Sequence, residues 1–136
     1  MNSQKKSLIL SEKKKVFLAI FILLIAAFIA IYCFVYFIVI PKSAVLLIPE
    51  KWQQISAGQV RNNYLRYLGD ATSNINSNHL NDTWIVHNGN YEYNLQIEYN
   101  ADSVSTGYSI SYSFTNAFFK KKGVIISNTA SDKKSL

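Results

Sequence analysis

The segment TWIVHNGNYEYNLQIEY, residues 83–99, predicts a β-hairpin and decides the fold of the second half of the chain. Large apolar side chains alternate with polar ones on both sides of an Asn-Gly pair, and a period of two is typical of strands with one buried face. Asn-Gly between two such runs favours a two-residue type I′ turn. A turn at 88–89 pairs Val86 with Tyr91 and places the large apolar groups on one face.

A second alternating run, residues 104–114, predicts a third strand. Closing the intervening turn at 101–102 pairs Leu95 with Tyr108 and keeps the same apolar face. Because a slip of one residue would turn every side chain over, this agreement between the two hairpins is informative. The sequence therefore predicts a three-stranded antiparallel meander with residues 91–99 in its centre.

The apolar face of this sheet needs a cover, and residues 52–68 are the only amphipathic segment that can supply one. Apolar residues recur there at helical spacing, and polar residues fill the other side of the helix: Arg61, Asn62, Asn63 and Arg66. Gly58 is expected to break the segment into a short first turn and a main helix, and Gly69 to end it. The apolar stripe consists of Ile55, Val60, Tyr64, Leu65 and Leu68. The fold class is α+β, with the helix packed on the meander in two layers.

The run VFLAIFILLIAAFIAIYCFVYFIVI, residues 16–40, predicts a transmembrane helix. Its 25 residues carry no charge, and as a helix they would be about 37 Å long, more than the roughly 30 Å hydrocarbon core of a bilayer. A cleaved signal peptide is the alternative, but its apolar core is usually only about 7–15 residues long. We therefore expect a retained anchor that Pro41 ends at the membrane interface.

Lysines are concentrated on one side of this run and predict its orientation. Five precede it, whereas only Lys42 and Lys51 follow closely. We therefore expect a single-pass protein of the inner (cytoplasmic) membrane with a cytoplasmic N-terminus and an extracytoplasmic C-terminal domain, periplasmic in a Gram-negative cell. Beyond residue 40, nine basic residues face seven acidic ones, a balance too small to indicate a nucleic-acid partner.

These signals divide the chain into five segments. They are a basic leader (1–15), the transmembrane helix (16–40), a linker (41–49), the α+β domain (50–115) and a basic, flexible tail (116–136). Within the tail, residues 124–126 are compatible with a short fourth strand. The tail also contains Phe-Phe-Lys-Lys-Lys at 118–122. We expect this run to be part of a solvated tail, and contact with an anionic membrane surface is the alternative.

No pattern of residues predicts catalysis, a cofactor or a bound metal. His79, Asp82 and His87 are the only metal-like cluster, and we expect them to be exposed polar residues and not a metal site, because ligand type alone is weak evidence. Glu92 and Glu98 share a face of one strand but are roughly 20 Å apart, too far for paired catalytic carboxylates. We expect a non-catalytic protein without cofactors, for which a small-molecule ligand is not favoured.

The polar face of the sheet is the candidate partner-binding surface. Five acids and no lysine or arginine lie between Gly69 and Phe119, so a basic protein partner would suit it. The 104–114 strand is a further candidate, as an edge for strand addition. An alternative is a ligand-binding or inhibitor-type domain with a pocket lined by Tyr64, Tyr67, Tyr91 and Tyr93. The predicted binding residues are Glu92, Asn94, Gln96, Glu98, Ser109 and Ser111.

The order of motifs resembles the SmpA/OmlA family, the BamE-like domain of the outer-membrane β-barrel assembly machinery. The resemblance covers residues 50–114 and rests on Ile55-x-x-Gly58, Leu68-Gly69, a strand led by Trp84 and an acidic turn. It implies a helix followed by a β-meander, and a scaffold or accessory role in an envelope complex. The chain departs from the family at Ala71, where a proline is expected, and in having an anchor instead of a lipidated cysteine. Coa1-like assembly factors of cytochrome oxidase are a second, less close resemblance.

Overall fold

The computed structural model describes residues 2–73 and 80–129, with side chains for residues 12–73 and 80–128. The chain forms two compact units that divide between Val39 and Ile40. The first consists of helix α1 (Asn2–Phe34) and a π-helical segment (Val35–Val39). Within the described residues one helical stretch, Glu12–Leu46, is long and apolar enough to cross a membrane. The expected long apolar helix is present, and its crossing of a membrane stays a prediction.

Pro41 does not end the helix, contrary to expectation. Helix α2 (Ile40–Leu46) contains it at its second position. Proline lacks an N–H group, and its ring crowds the carbonyl four residues earlier. That carbonyl belongs to Phe37, inside the π-helical segment, where the wider turn changes the hydrogen-bonding pattern. The segment 41–49, expected to be a linker, is instead largely α2.

The second unit contains a four-stranded antiparallel sheet in the order β1-β2-β3-β4. The strands are β1 (Asn81–Asn88), β2 (Tyr91–Tyr99), β3 (Ser105–Thr115) and β4 (Lys120–Thr129). The α+β class is confirmed, but the meander has one strand more than expected, since β4 lies within the predicted tail. Three consecutive lysines at its start interrupt the alternation of apolar and polar residues that predicts a strand, and lysine is a common residue on edge strands. Residues 130–136 lie outside the described residues.

The faces of the hairpins follow the prediction, whereas the partners differ by two residues. The first turn is formed by residues 89–90, so Val86 pairs with Tyr93 and not with Tyr91. Gly89 has a φ of 60° and Asn90 has a negative φ, which is the pattern of a type II′ turn with glycine in first position. A shift of two residues leaves every side chain on its expected face.

The second hairpin differs in the same way. Leu95 pairs with Ile110 instead of Tyr108, and an irregularity lies between Glu98 and Tyr99. The turn is longer than expected because the Asn100 side-chain oxygen accepts hydrogen bonds from two backbone N–H groups within it. The irregularity directs Ser105 inward, where its hydroxyl accepts a hydrogen bond of 2.8 Å from Gly58 N.

Three helical segments cover the apolar face of the sheet: α2, α3 (Glu50–Gln53) and α4 (Arg61–Leu68). Gly58 and Gly69 have positive φ and interrupt and end the helical region as predicted. The expectation that residues 52–68 alone form the cover was wrong, because α2 contributes as well. The buried residues of the cover are Ile40, Ala44, Ile48, Trp52, Ile55 and Tyr64.

Candidate partner-binding face

The sheet face opposite the helices, called here the outer face, brings together all six predicted binding residues. On β2 and β3, Asn94 pairs with Ser111 and Gln96 with Ser109. Glu92 and Glu98 lie on the same face of β2, nearer the two ends of the strand, and both are exposed. The other four are partly exposed. The side-chain hydrogen bonds that join Asp82, Tyr91 and Tyr93 to α4 and α2 lie on the opposite face.

A groove of about 350 Å³ runs along the outer face between β2 and β4. Sequence reasoning included Glu92, Asn94 and Ser111 in this face but missed the contribution of β4. The strand adds Lys122 and Val124, and Val124 is 68% exposed. Sequence reasoning assigned Lys122 to a tail, because it belongs to a run of three lysines, and considered residues 124–126 as a short strand without placing Val124 on this face. Ser113, which also lines the groove, shares the alternation of Ser109 and Ser111 and could have been found.

The outer face has an acidic middle strand and a basic edge strand. Glu92 and Glu98 supply the negative charge on β2, and Lys120 and Lys122 supply the positive charge on β4. His87 Nε2 lies 3.9 Å from Glu92 Oε2, and both side chains are exposed to solvent. Such an exposed contact contributes little to stability, so these groups stay available to a partner.

Asp82 does not belong to the outer face. Its side chain is fully buried and accepts hydrogen bonds from Arg61, with Nε–Oδ2 at 2.7 Å and Nη2–Oδ1 at 2.9 Å. The hydrogen bond to Asp82 raises the pKa of Arg61. Tyr99 also has a raised pKa, first because of burial and then because of the nearby Asp82 charge.

The prediction grouped Arg61 with the polar side of the helix and missed its buried partner. The sequence did contain a signal for the pair, because Asp82 shares the parity of Trp84 and must face the core with it. A buried carboxylate there requires a partner, and the adjacent helix supplies one. This ion pair joins α4 to β1 and serves the structure, not a binding site.

The metal-like cluster is not assembled by the part that the structure describes. Asp82 is paired with Arg61, His87 is exposed at the other end of β1, and His79 lies outside the described residues. Among the described residues no group of three histidine, cysteine, aspartate or glutamate side chains could hold a metal ion.

The four tyrosines suggested for a ligand pocket do not line one cavity. Tyr91 Oη and Tyr93 Oη donate hydrogen bonds of 3.0 Å to the carbonyls of Ile40 and Ala44, so both belong to the core. Tyr64 and Tyr67 do line a separate cavity of about 240 Å³ among the helical segments. Burial raises the pKa of Tyr91 and raises that of Tyr93 to about 12.

The edge predicted for strand addition is occupied. β4 pairs with β3 along Gly107–Thr115, so β3 is an inner strand and β4 forms that edge of the sheet. The opposite edge, β1, is partly covered, since Thr72 N and Ser73 N donate to the Thr83 carbonyl.

Comparison with known proteins yields no match to a family model, a curated protein or a solved structure. The resemblance to the SmpA/OmlA family therefore stays a prediction.

Proposed function

We propose that this protein is a membrane-anchored binding domain that holds protein partners on its outer face, as a scaffold or accessory of an envelope complex. The observation that carries the proposal is the asymmetry of the sheet. Helices close one face, whereas the other presents a groove with exposed charges and the exposed Val124. A sheet face with polar groups around an apolar contact point resembles the mixed character of transient protein interfaces.

The charges of the face define the partner. Since Asp82 is neutralised by Arg61, the acidity available to a partner on the outer face comes from Glu92 and Glu98. A partner segment with lysine or arginine opposite these carboxylates, and a small apolar side chain against Val124, would complement the groove. Repulsion from Lys122 would reject a uniformly basic partner, so the arrangement favours specificity over general attraction.

The place of the domain follows from the lysine distribution. Five lysines before the apolar run and few after it favour a cytoplasmic N-terminus. The domain that begins at Ile40 would then work outside the cytoplasm, next to the inner membrane. A BamE-like role is compatible with the helical segments followed by a meander, but the anchor would keep the domain at the inner membrane and not at the outer one.

A charge reversal on the outer face tests this proposal. Tagged full-length protein with Glu92→Lys and Glu98→Lys would be purified from native membranes, and its co-purifying proteins quantified against the wild type. The matched control is Asp70→Lys with Asp102→Lys, which changes the net charge equally but lies outside the outer face. We expect the first variant to lose specific partners and the control to keep them. Identical partners for both variants would refute the proposal.

A further inference from the structure

The tip between β3 and β4 lies at the end of the sheet where the apolar run enters the domain. Tyr91, the first residue of β2, donates its hydroxyl proton to the carbonyl of Ile40, the last residue of that run. Thr115 N donates to Asn90 O, which places the end of β3 beside the first hairpin turn. The 116–119 tip therefore lies at the same end of the domain as Ile40, the residue at which the chain enters it.

The tip holds an aromatic side chain outward. The side-chain oxygen of Asn116 accepts hydrogen bonds from Phe118 N at 2.9 Å and Phe119 N at 2.6 Å, and Asn116 N donates to the Phe119 carbonyl. These bonds fix a tight turn in which Phe118 is 82% exposed. A large aromatic ring held in this way at a loop end has no role in the domain's own packing.

Basic residues lie close to this ring in the chain and at the same end of the domain. Lys120, Lys121 and Lys122 follow it directly, and Lys42 lies on α2 between the two carbonyls that bind Tyr91 and Tyr93. Glu92 and His87, which pair with each other across β1 and β2, and Tyr91 also lie at this end. Four lysines reach the number typical of segments that bind anionic lipid.

The opposite end of the sheet has neither an exposed aromatic ring nor a cluster of basic residues in its turn. Its turn, residues 100–104, contains Asp102 and no lysine, arginine or aromatic residue. The nearest helical cation, Arg61, donates its backbone N–H to Ser103 O while its side chain is held by Asp82. The basic and aromatic character is therefore specific to the end near Ile40.

We propose that the 116–122 tip docks on the anionic lipid surface of the membrane in which the protein is anchored. Phe118 inserts at the boundary between headgroups and acyl chains, and the lysines contact lipid phosphates. The anchor keeps the tip close to the surface, so even a weak contact is favoured by the high effective concentration. This second attachment would fix the orientation of the outer face, and it does not depend on the partner proposed above.

The test uses the full-length protein in nanodiscs with brominated acyl chains, which quench tryptophan fluorescence on contact. Phe118→Trp places a reporter at the tip, and Ala101→Trp places the matched reporter in the turn at the opposite end. Trp52 and Trp84 are buried and provide a constant background that the unsubstituted protein measures. Nanodiscs of phosphatidylcholine alone and of phosphatidylcholine with phosphatidylglycerol separate apolar contact from charge recognition.

We expect strong quenching of the emission added by Phe118→Trp in the anionic discs, weaker quenching in the neutral discs, and none of the emission added by Ala101→Trp. Adding Lys120→Gln and Lys122→Gln should reduce the quenching in the anionic discs to that seen in the neutral discs. An unchanged thermal unfolding midpoint shows that this variant is folded. Equal quenching of the two reporters would overturn the proposal. If quenching at the tip changes neither with lipid charge nor with the lysine substitutions, the assignment to anionic lipid is overturned.

Discussion

Removal of one hydroxyl group, by Tyr93→Phe, should destabilise the domain measurably. Tyr93 is fully buried, and its hydroxyl donates to the carbonyl of Ala44, which is itself fully buried in α2. Ala44 lies in the last turn of α2, where carbonyls lack partners within the helix. A buried acceptor that loses its donor costs about 1–3 kcal/mol. The ring remains in place, so the substitution isolates the hydrogen bond from the packing.

Thermal unfolding in detergent micelles, followed by near-ultraviolet circular dichroism, measures this effect. For a domain of this size each kcal/mol lowers the midpoint by roughly 4–8 °C. The control is Tyr67→Phe, whose hydroxyl donates at 3.2 Å to Gln54 on the exposed surface and whose loss should change stability by less than about 0.5 kcal/mol. Equal midpoints for the two variants would refute the conclusion that α2 is part of the domain.

Three further predictions concern pH, backbone space and the buried ion pair. Stability should fall between about pH 10, where a tyrosine of the unfolded chain ionises, and about pH 12, because the pKa of Tyr93 is raised to about 12 in the folded protein. Urea midpoints measured across this pH range report the loss. Gly123→Ala should cost about 1–3 kcal/mol in urea unfolding, because a Cβ there would lie 2.6 Å from Cε1 of Tyr112. Arg61→Leu should cost about 3–5 kcal/mol by the same measurement, since it leaves the Asp82 carboxylate buried and unpaired.

Each of these predictions has its own control. The alkaline loss should be smaller in Tyr93→Phe but not abolished, because Tyr91 and Tyr99 also have raised pKa values; a flat profile in the wild type would contradict the burial of these groups. Val124→Ala, on an exposed neighbour of Gly123, should be nearly neutral. Arg66→Leu removes an exposed charge from the same helix as Arg61, and an equal loss in the two arginine variants would argue against the ion pair.

The faces of the sheet were predictable because side chains alternate with a period of two. Trp84, Leu95 and Ile110 lie on the buried face as expected, although both hairpins are shifted by two residues. Register within a face depends on turn geometry, which the Asn-Gly pair did not determine. The six predicted binding residues came together for the same reason, since face assignment survives an even shift.

Other features depend on tertiary contacts that local patterns do not contain. Ile40 and Ala44 pack on the sheet, but they continue an apolar pattern that a membrane helix would show equally. The ion pair of Arg61 and Asp82 joins residues 21 apart along the chain. The lysines at the start of β4 do not show the alternation of a strand, and β4 is ordered by its pairing with β3.

The central claim, that the outer face binds a protein partner, is tested most directly by position-specific photocrosslinking in living cells. A benzophenone amino acid would replace Ser111 or Val124 in the groove, and Asn62, an exposed residue of α4, would serve as the control. The proposal predicts a discrete crosslinked protein from both groove positions and none from the control. The same products from all three positions, or none from the groove, would contradict it.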